Sequence, residues 1–273
     1  MSDVLRDMSR AAWTRAVEAN LTAFHVLLSD WPEIALHRDN DRIWTVSQRR
    51  FFLCNVVLEA RFSPTDVDTQ IERALTPYLG SNVNVMWKLG PSTQPRDLGD
   101  RLLKQGFLVR PTLRGMALDL ASLGPIPALA PGVDIREVGD AGTLGLWRRA
   151  VDRGFGWPSY GSEDLADNLA HFLRTGVERP FVAYVAVSRE EPVASSLVFL
   201  GAGVAGIYHV STVPEYRGRG LGSVITAAPL LEARSRGYGI AVLHATDMGY
   251  PVYRRLGFEQ VCDIGIRLRL KNP

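Results

Sequence analysis

The sequence predicts an α/β fold in which mixed, mainly antiparallel sheet is flanked by helices, built twice along the chain. Three observations predict it. Apolar runs of strand length interleave with stretches of helical period. One strand-like run, Val204 to Val213, passes through a glycine-rich turn into the helical stretch Gly220 to Ser235. The ending of the first half also echoes that of the second. Arg101 to Leu120 and Arg254 to Leu270 each read as amphipathic helix, Gly-Phe stop and alternating strand, with Phe107 and Phe258 about 150 residues apart.

In the first half, Phe51 to Leu58 is the expected counterpart of the strand before the glycine-rich turn. It runs into Ser63 to Asp68, S-P-T-D-V-D, an N-cap signature with Pro64 suited to the first helical turn. Leu123 to Gly132 packs Gly124, Pro125, Pro127, Pro131 and Gly132 into a stiff linker. The division expected is therefore residues 1–122, a linker over 123–132, and residues 133–273. After the linker, Val133 to Val138 alternates as a strand. Ala141 to Arg153 and Ser162 to Arg174 follow as helices, the second opening on the cap-like S-E-D of Ser162 to Asp164. Phe181 to Ser188 and Pro192 to Leu200 form a hairpin around R-E-E-P. Pro214 ends the next strand because it has no N–H to pair. Ile240 to Ala245 is a buried strand, and Tyr250 to Phe258 a short helix stopped by Gly257.

Composition narrows the function. At 273 residues and 46% hydrophobic, the chain can bury a core in each of two modest domains. A net charge of +2 gives no electrostatic case for nucleic acid or an acidic membrane surface. Cys54 and Cys262 lack metal-type or C-x-x-C spacing, so reduced thiols of a cytoplasmic protein, and no metal, are expected. The opening M-S-D-V-L-R-D-M-S-R is charged throughout and does not read as a secretory signal. The longest apolar stretch, Val193 to Val210, is broken by Ser195, Ser196 and the turn Gly201 to Gly203, so it reads as two strands and not a membrane span.

The candidate site begins at Val210 to Ser223, V-S-T-V-P-E-Y-R-G-R-G-L-G-S. Arg217, Gly220 and Gly222 spell R-x-x-G-x-G, and Gly218 adds a third glycine whose missing Cβ lets backbone N–H groups turn inward. Those groups and the positive end of the following helix favour an anion. A Walker loop needs Lys and then Ser or Thr after its last glycine, whereas Gly222 is followed by Ser223 and Val224. A dinucleotide fingerprint needs G-x-G-x-x-G, and Gly218, Gly220 and Gly222 are spaced differently. The loop alone leaves open an anion site or a turn for close strand–helix packing.

Together with the strand Ile240 to Ala245 and the downstream Y-P-V-Y-R-R-L-G-F at Tyr250 to Phe258, the loop resembles the GNAT acetyltransferase superfamily. The likeness covers about Val133 to Leu270. It rests on V-x-P and R-x-x-G-x-G followed, in the family's order, by Y-x-x-x-G-F. The resemblance implies two GNAT-like domains with splayed central strands, and acetyl-CoA as cosubstrate in the V of the second. The main chain of Ser211, Thr212 and Val213 would bind the pantetheine amides by strand addition. Arg217, Gly218, Arg219, Gly220, Leu221, Gly222 and Ser223 would hold the pyrophosphate. The N–H of Val213 or its neighbour would stabilise the oxyanion, and Tyr253 would protonate the leaving thiolate, as a phenol of unperturbed pKa ~10 is able to do at neutral pH.

The family often places Asn seven residues before that Tyr. Here Thr246 stands there and offers its hydroxyl to CoA, and Gly249 replaces a usual Ala. His209, with an unperturbed pKa ~6.5, is the candidate general base, with His244 and Asp247 behind it. Phe155, Trp157 and Tyr160 in R-G-F-G-W-P-S-Y, with Asp247 and Tyr250, would line the acceptor side. The first half has Leu102 at the place of Tyr253 and no R-x-x-G-x-G, so it is expected to be a degenerate, structural copy. The implied function is acetyl transfer from acetyl-CoA to a primary amine of a small molecule or peptide. A mycothiol-synthase-like acetyltransferase is a narrower alternative, and a non-catalytic acyl-CoA sensor is one of another class.

Overall fold

A computed structural model describes residues 4–30, 33–49, 52–157, 162–175 and 180–270. In chain order the elements are α1 (Arg10–Leu28), β1 (Ala35–Arg38), β2 (Ile43–Val46), β3 (Val56–Leu58), α2 (Val67–Leu75), β4 (Val85–Leu89), α3 (Leu98–Lys104) and β5 (Leu108–Asp119). There follow β6 (Val133–Glu137), α4 (Ala141–Phe155), α5 (Glu163–Thr175), β7 (Phe181–Ser188), β8 (Glu191–Gly201), β9 (Val204–Thr212), α6 (Leu221–Ser235), β10 (Ile240–Ala245), α7 (Tyr250–Arg255) and β11 (Glu259–Arg269). No described helix is long and apolar enough to cross a membrane.

The chain forms two compact units that do not follow a cut at the Pro/Gly linker. The larger holds Met1–Leu21 and Gly115–Val261, the smaller Thr22–Arg114 and Cys262–Pro273. Both boundaries nearest the linker and the C-terminus fall inside long strands, β5 and β11, so each half gives the end of its last strand to the other unit. Composition marks the linker, but a unit boundary is set by where side chains are buried. Met116 and Leu118 of β5 sit in the larger unit's core with Leu230, Leu243, Leu256 and Phe258. The Gly265–Arg269 part of β11 pairs antiparallel with β4 in the smaller one.

In the smaller unit the strand order is β1-β2-β3-β4-β11. Strands β3 and β4 are parallel and joined through α2, after which come α3 and β5. The larger unit repeats that sequence as parallel β9 and β10 joined through α6, then α7 and β11, with strand order β6-β7-β8-β9-β10-β5. The repeat reaches individual hydrogen bonds. Gly106 and Gly257 both take positive φ, 81° and 99°. The next N–H then reaches back five residues, Phe107 to the Leu102 carbonyl at 3.1 Å and Phe258 to the Tyr253 carbonyl at 3.0 Å. This is the helix stop that an αL glycine permits, and both phenylalanines are buried beyond it.

Two details of the first half differ from the reading of its sequence. The strand before α2 is only Val56–Leu58, preceded by a 3₁₀ turn at Phe52–Cys54. The N-cap of α2 is Asp66, without a side-chain cap bond, so Ser63 and Pro64 lie outside the helix. The Asp66 N–H instead closes a turn on the Ser63 carbonyl at 3.4 Å, with Pro64 at the position whose fixed φ suits such a turn. In the larger unit the strands and helices fall within a few residues of expectation. The R-E-E-P hairpin turns on Arg189 and Glu190, both at positive φ (49° and 64°), the two-residue turn that matches strand twist.

Candidate active site

The site is built where β9 leaves its neighbours. Strands β9 and β10 pair over Ala205–Ile207 and Ala241–Leu243, and no register partner on β10 continues past Ile207. On its other side β9 stays with β8, but with a bulge: Leu197 faces Tyr208 and Ser195 faces Ser211, so His209 and Val210 together oppose Ser196. His209 takes φ 48°, uncommon for a side chain other than glycine. The bulge is pinned from behind. Ser195 Oγ donates to the His209 carbonyl at 2.8 Å, and Ser211 Oγ lies 2.8 Å from Ser195 Oγ and 2.9 Å from the Ala150 carbonyl of α4.

The ring of His209 is held between two indoles, edge to face with Trp147 at 5.8 Å and with Trp157 at 6.3 Å between centroids. Trp147 is fully buried and donates Nε1–H to the Ser196 carbonyl at 3.1 Å, so it cannot yield. Trp157 stacks on the exposed Phe155 at 4.7 Å and 17°. Tyr160 lies outside the described residues. On the β10 side, the buried Tyr208 hydroxyl donates to Asn20 Oδ1 at 2.8 Å, and its ring lies 6.1 Å from His244. Asn20, itself fully buried, donates to the Gly201 carbonyl at 2.8 Å and so fastens α1 to the β8–β9 turn.

Beyond Thr212 the chain turns through a glycine-rich loop into the next helix. Tyr216 and Arg217 close a 3₁₀ turn over Pro214, Gly218 and Gly220 take φ 74° and 79°, and α6 starts at Leu221. Among the described residues, no backbone carbonyl accepts from the N–H groups of residues 218–222. Two of these five are in the helix's first turn, where intrahelical partners are lacking by geometry. The alternation of left-handed glycines turns the rest to the same side, as in phosphate nests. A Cβ at Gly218 would meet nothing within 4 Å, so the loop face is open.

The loop arginines are not all aimed at that face. Arg217 donates to the Thr212 carbonyl at 3.0 Å and to the Gly154 carbonyl at 2.7 Å, so it ties the end of β9 to the end of α4. Arg219 donates to the Glu215 carbonyl at 2.9 Å and lies over the Tyr216 ring at 5.0 Å. Val213, buried, donates its N–H to the Val193 carbonyl at 2.9 Å. The N–H of Val213, one of the oxyanion donors expected from the sequence, is therefore already engaged within the sheet. Leu221 and Ser223 are buried in the first turn of α6.

Tyr253 stands one helix away. Its short helix α7 touches the loop through Val252, whose methyls lie 3.7 to 4.0 Å from where a Gly222 Cβ would be. The phenol is 8% exposed, packed edge to face on Phe258 at 6.0 Å, and burial raises its pKa well above that of a free tyrosine. The ring covers Gly249: a Cβ there would come within 2.8 Å of Tyr253 Cε2. That contact is the physical reason a glycine stands at this position. Thr246 accepts from the Gly249 N–H at 3.3 Å through Oγ1 and from Tyr250 N–H at 2.9 Å through its carbonyl, so it starts α7. Asp247 is exposed and Tyr250 half-buried on the same turn.

A family model for the acetyltransferase (GNAT) domain matches residues 202–261, the segment running from the β8–β9 turn through the loop, Tyr253 and the Gly-Phe stop. A relative from Streptomyces griseus described as an uncharacterized N-acetyltransferase is 34% identical over 116 residues, 41% of this chain and 27% of that protein. Over that segment the chain is similar to the GNAT acetyltransferase superfamily. The match spans about a quarter of the length of that relative. Solved structures share the fold over nearly the whole chain. A GCN5-related N-acetyltransferase from Kribbella flavida has a TM-score of 0.71 at 19% identity, covering 97% of this chain and 98% of that one. A tandem GNAT protein from the clavulanic acid biosynthesis pathway has a TM-score of 0.59 at 15% identity, covering 99% and 97%.

Within this GNAT frame, sequence reasoning found the loop and the Tyr253 helix but missed the supports behind them. Trp147, Asn20, Tyr208 and the Ser195–Ser211 pair carry no motif. The one signal available was a polar residue inside an apolar run, Asn20 in α1 and Ser195 in β8, since a buried polar group requires a partner. Among the described residues no group of three or more His, Cys, Asp or Glu is disposed to hold a metal ion.

Proposed function

We propose that this chain transfers the acetyl group of acetyl-CoA to a primary amine on a small molecule or peptide. The observation that carries the reading is the conjunction of two features in the larger unit. Among the described residues, five consecutive N–H groups at 218–222 have no carbonyl partner, and upstream of them β9 has no β10 register partner beyond Ile207. A pyrophosphate fits the first feature, and a strand-like pantetheine arm fits the second.

The chemistry follows from the groups at hand. The neutral amine attacks the thioester carbonyl, a C–N bond forms, and the negative oxygen is stabilised by backbone N–H donors. As the C–S bond breaks, Tyr253 gives its proton to the thiolate and is reprotonated from solvent. Burial keeps its phenol protonated well into the alkaline range, which suits an acid and not a base. His209, fixed in the bulge between Trp147 and Trp157, accepts the proton released by the amine. Phe155 and Trp157 offer an aromatic wall on the acceptor side. Cys54 and Cys262 form no disulfide among the described residues, and a cytoplasmic setting suits such thiols.

The test is Tyr253→Phe, assayed by thiol release over an amine library alongside calorimetric titration with acetyl-CoA. Loss of a general acid costs on the order of 10²- to 10⁴-fold in kcat, while acetyl-CoA affinity is expected to stay close to wild type. An unchanged kcat removes Tyr253 from the mechanism. Tight acetyl-CoA binding by the unmodified chain without turnover of any amine would point to a sensor instead.

A further inference from the structure

The bulge in β9 brings two consecutive side chains to one side of the sheet. Ile207 and Val210 share a core with Leu230 of α6 and Leu256 of α7. Between them in the chain, the Tyr208 and His209 rings lie 6.5 Å apart, against Asn20 of α1 and Trp147 of α4. In a regular strand alternate residues share a face, and His209 would follow Ile207 into that core. A left-handed histidine persists only where its surroundings over-determine it. Ser195 and Ser211 hold one side of the bulge, and Tyr208 stands on the other.

The Tyr208 side is secured by one amide. Asn20, fully buried, turns Nδ2 toward two carbonyls that can only accept, Gly201 at 2.8 Å and Val204 at 3.4 Å. Its Oδ1 is thereby left to the Tyr208 phenol, which donates to it at 2.8 Å. Burial raises the Tyr208 pKa well above that of a free tyrosine, so the hydroxyl keeps the proton that this bond requires. Gly206 makes the space: a Cβ there would collide with Asn20 Oδ1 and come within 2.6 Å of Tyr208 Cε2. We infer that Asn20 is a positioning residue for His209. By holding Tyr208 it decides which residue of β9 bulges, because a slip of one residue would send the imidazole to the opposite face. The inference rests on the proposed reaction in one respect, that His209 takes the proton released by the amine.

Nuclear magnetic resonance on the full chain reads the ring's place as a nuclear Overhauser contact between His209 and the Trp147 indole, with His209→Gln assigning the signals. Thiol release gives kcat and the KM for acetyl-CoA in the same proteins. The variants are Tyr208→Phe, which keeps the ring and loses only the hydroxyl, and Asn20→Leu. A misplacement of about 1 Å costs on the order of 10²-fold in rate. Both variants are therefore expected to lose the contact and at least about tenfold in kcat, with KM within about threefold of wild type. The double variant should be no worse than the more damaging single one. If Asn20→Leu does not fold, Tyr208→Phe decides alone. A contact kept in the folded variants, or absent from wild type, refutes the inference. So does a lost contact with unchanged kcat where His209→Gln is inactive. If wild type releases no thiol with any amine, or His209→Gln turns over at the wild-type rate, the reading of His209 as proton acceptor fails. Loss of the contact in Tyr208→Phe then still decides whether Asn20 holds the bulge.

Discussion

Replacing Lys88 by Met is expected to stabilise the smaller unit at neutral pH and to flatten its pH dependence. Lys88 lies on β4, buried, with Nζ 3.1 Å from His25 Nε2. Burial lowers its pKa from 10.5 to about 7, with no carboxylate to offset the lost hydration. Between those values the unfolded chain binds a proton that the folded one does not, so stability rises with pH, by about 1.4 kcal/mol per pH unit. Below about pH 7 both states carry the proton and the burial penalty is present in full, roughly 5 kcal/mol for a pKa displaced this far. Between pH 7 and pH 9 the native chain should gain about 2–3 kcal/mol from this group. The Met variant, of similar shape, should show none of that gain. Leaving His25 without the amine costs about 1–2 kcal/mol, so a net gain of about 2–3 kcal/mol is expected at pH 7. The assay is urea unfolding at pH 7 and pH 9, with a brief hydrogen-exchange pulse reading protection of Val85–Leu89. Equal pH slopes in both proteins, or a variant less stable than wild type at pH 7, would refute the argument.

Two further substitutions probe the site's packing. Gly154→Ala places a methyl against Ser211 and 3.3 Å from the Thr212 nitrogen, at the point where β9 is pinned to α4. Helix propensity alone favours Ala in α4 by about 1 kcal/mol, so a lowered Tm and a raised KM for acetyl-CoA would show that overpacking of about 1–3 kcal/mol wins. A raised Tm with unchanged KM would mean the strand yields freely. Gly249→Ala forces the Tyr253 ring aside and should lower kcat at least tenfold with acetyl-CoA affinity within about threefold of wild type. Unchanged kcat would show that the ring's position is not critical.

The larger unit was legible because its elements carry local chemistry. A proline ends β9, three glycines turn the loop, Gly257 stops α7, and alternation marks β7 and β8. The tandem repeat was legible from two Gly-Phe stops, because an αL glycine leaves the same mark in any context. The short β3 and the cap of α2 were misread because S-P-T-D serves equally as a turn or a helix start. Only pairing with neighbours selects between them. Within the site, the loop and Tyr253 announce themselves by spacing. His209 does not, since nothing in V-A-G-I-Y-H-V-S-T says that the strand bulges at its histidine.

By itself, the sequence determined most of the local elements of the larger unit, and which of two similar halves carries the glycine-rich loop. Tertiary structure alone decided how the halves are partitioned. The ends of β5 and β11 belong to the units that bury their side chains, and hydrophobic burial is indifferent to chain order. It also decided what the conspicuous side chains do. Arg217 of the loop motif braces β9 against α4, because two carbonyls stand within reach of its guanidinium. Gly249 makes room for Tyr253, and Trp147, which no motif marks, fixes one face of His209. Such assignments depend on which atoms lie within about 4 Å of one another, and that distance is set by packing between residues far apart in the chain.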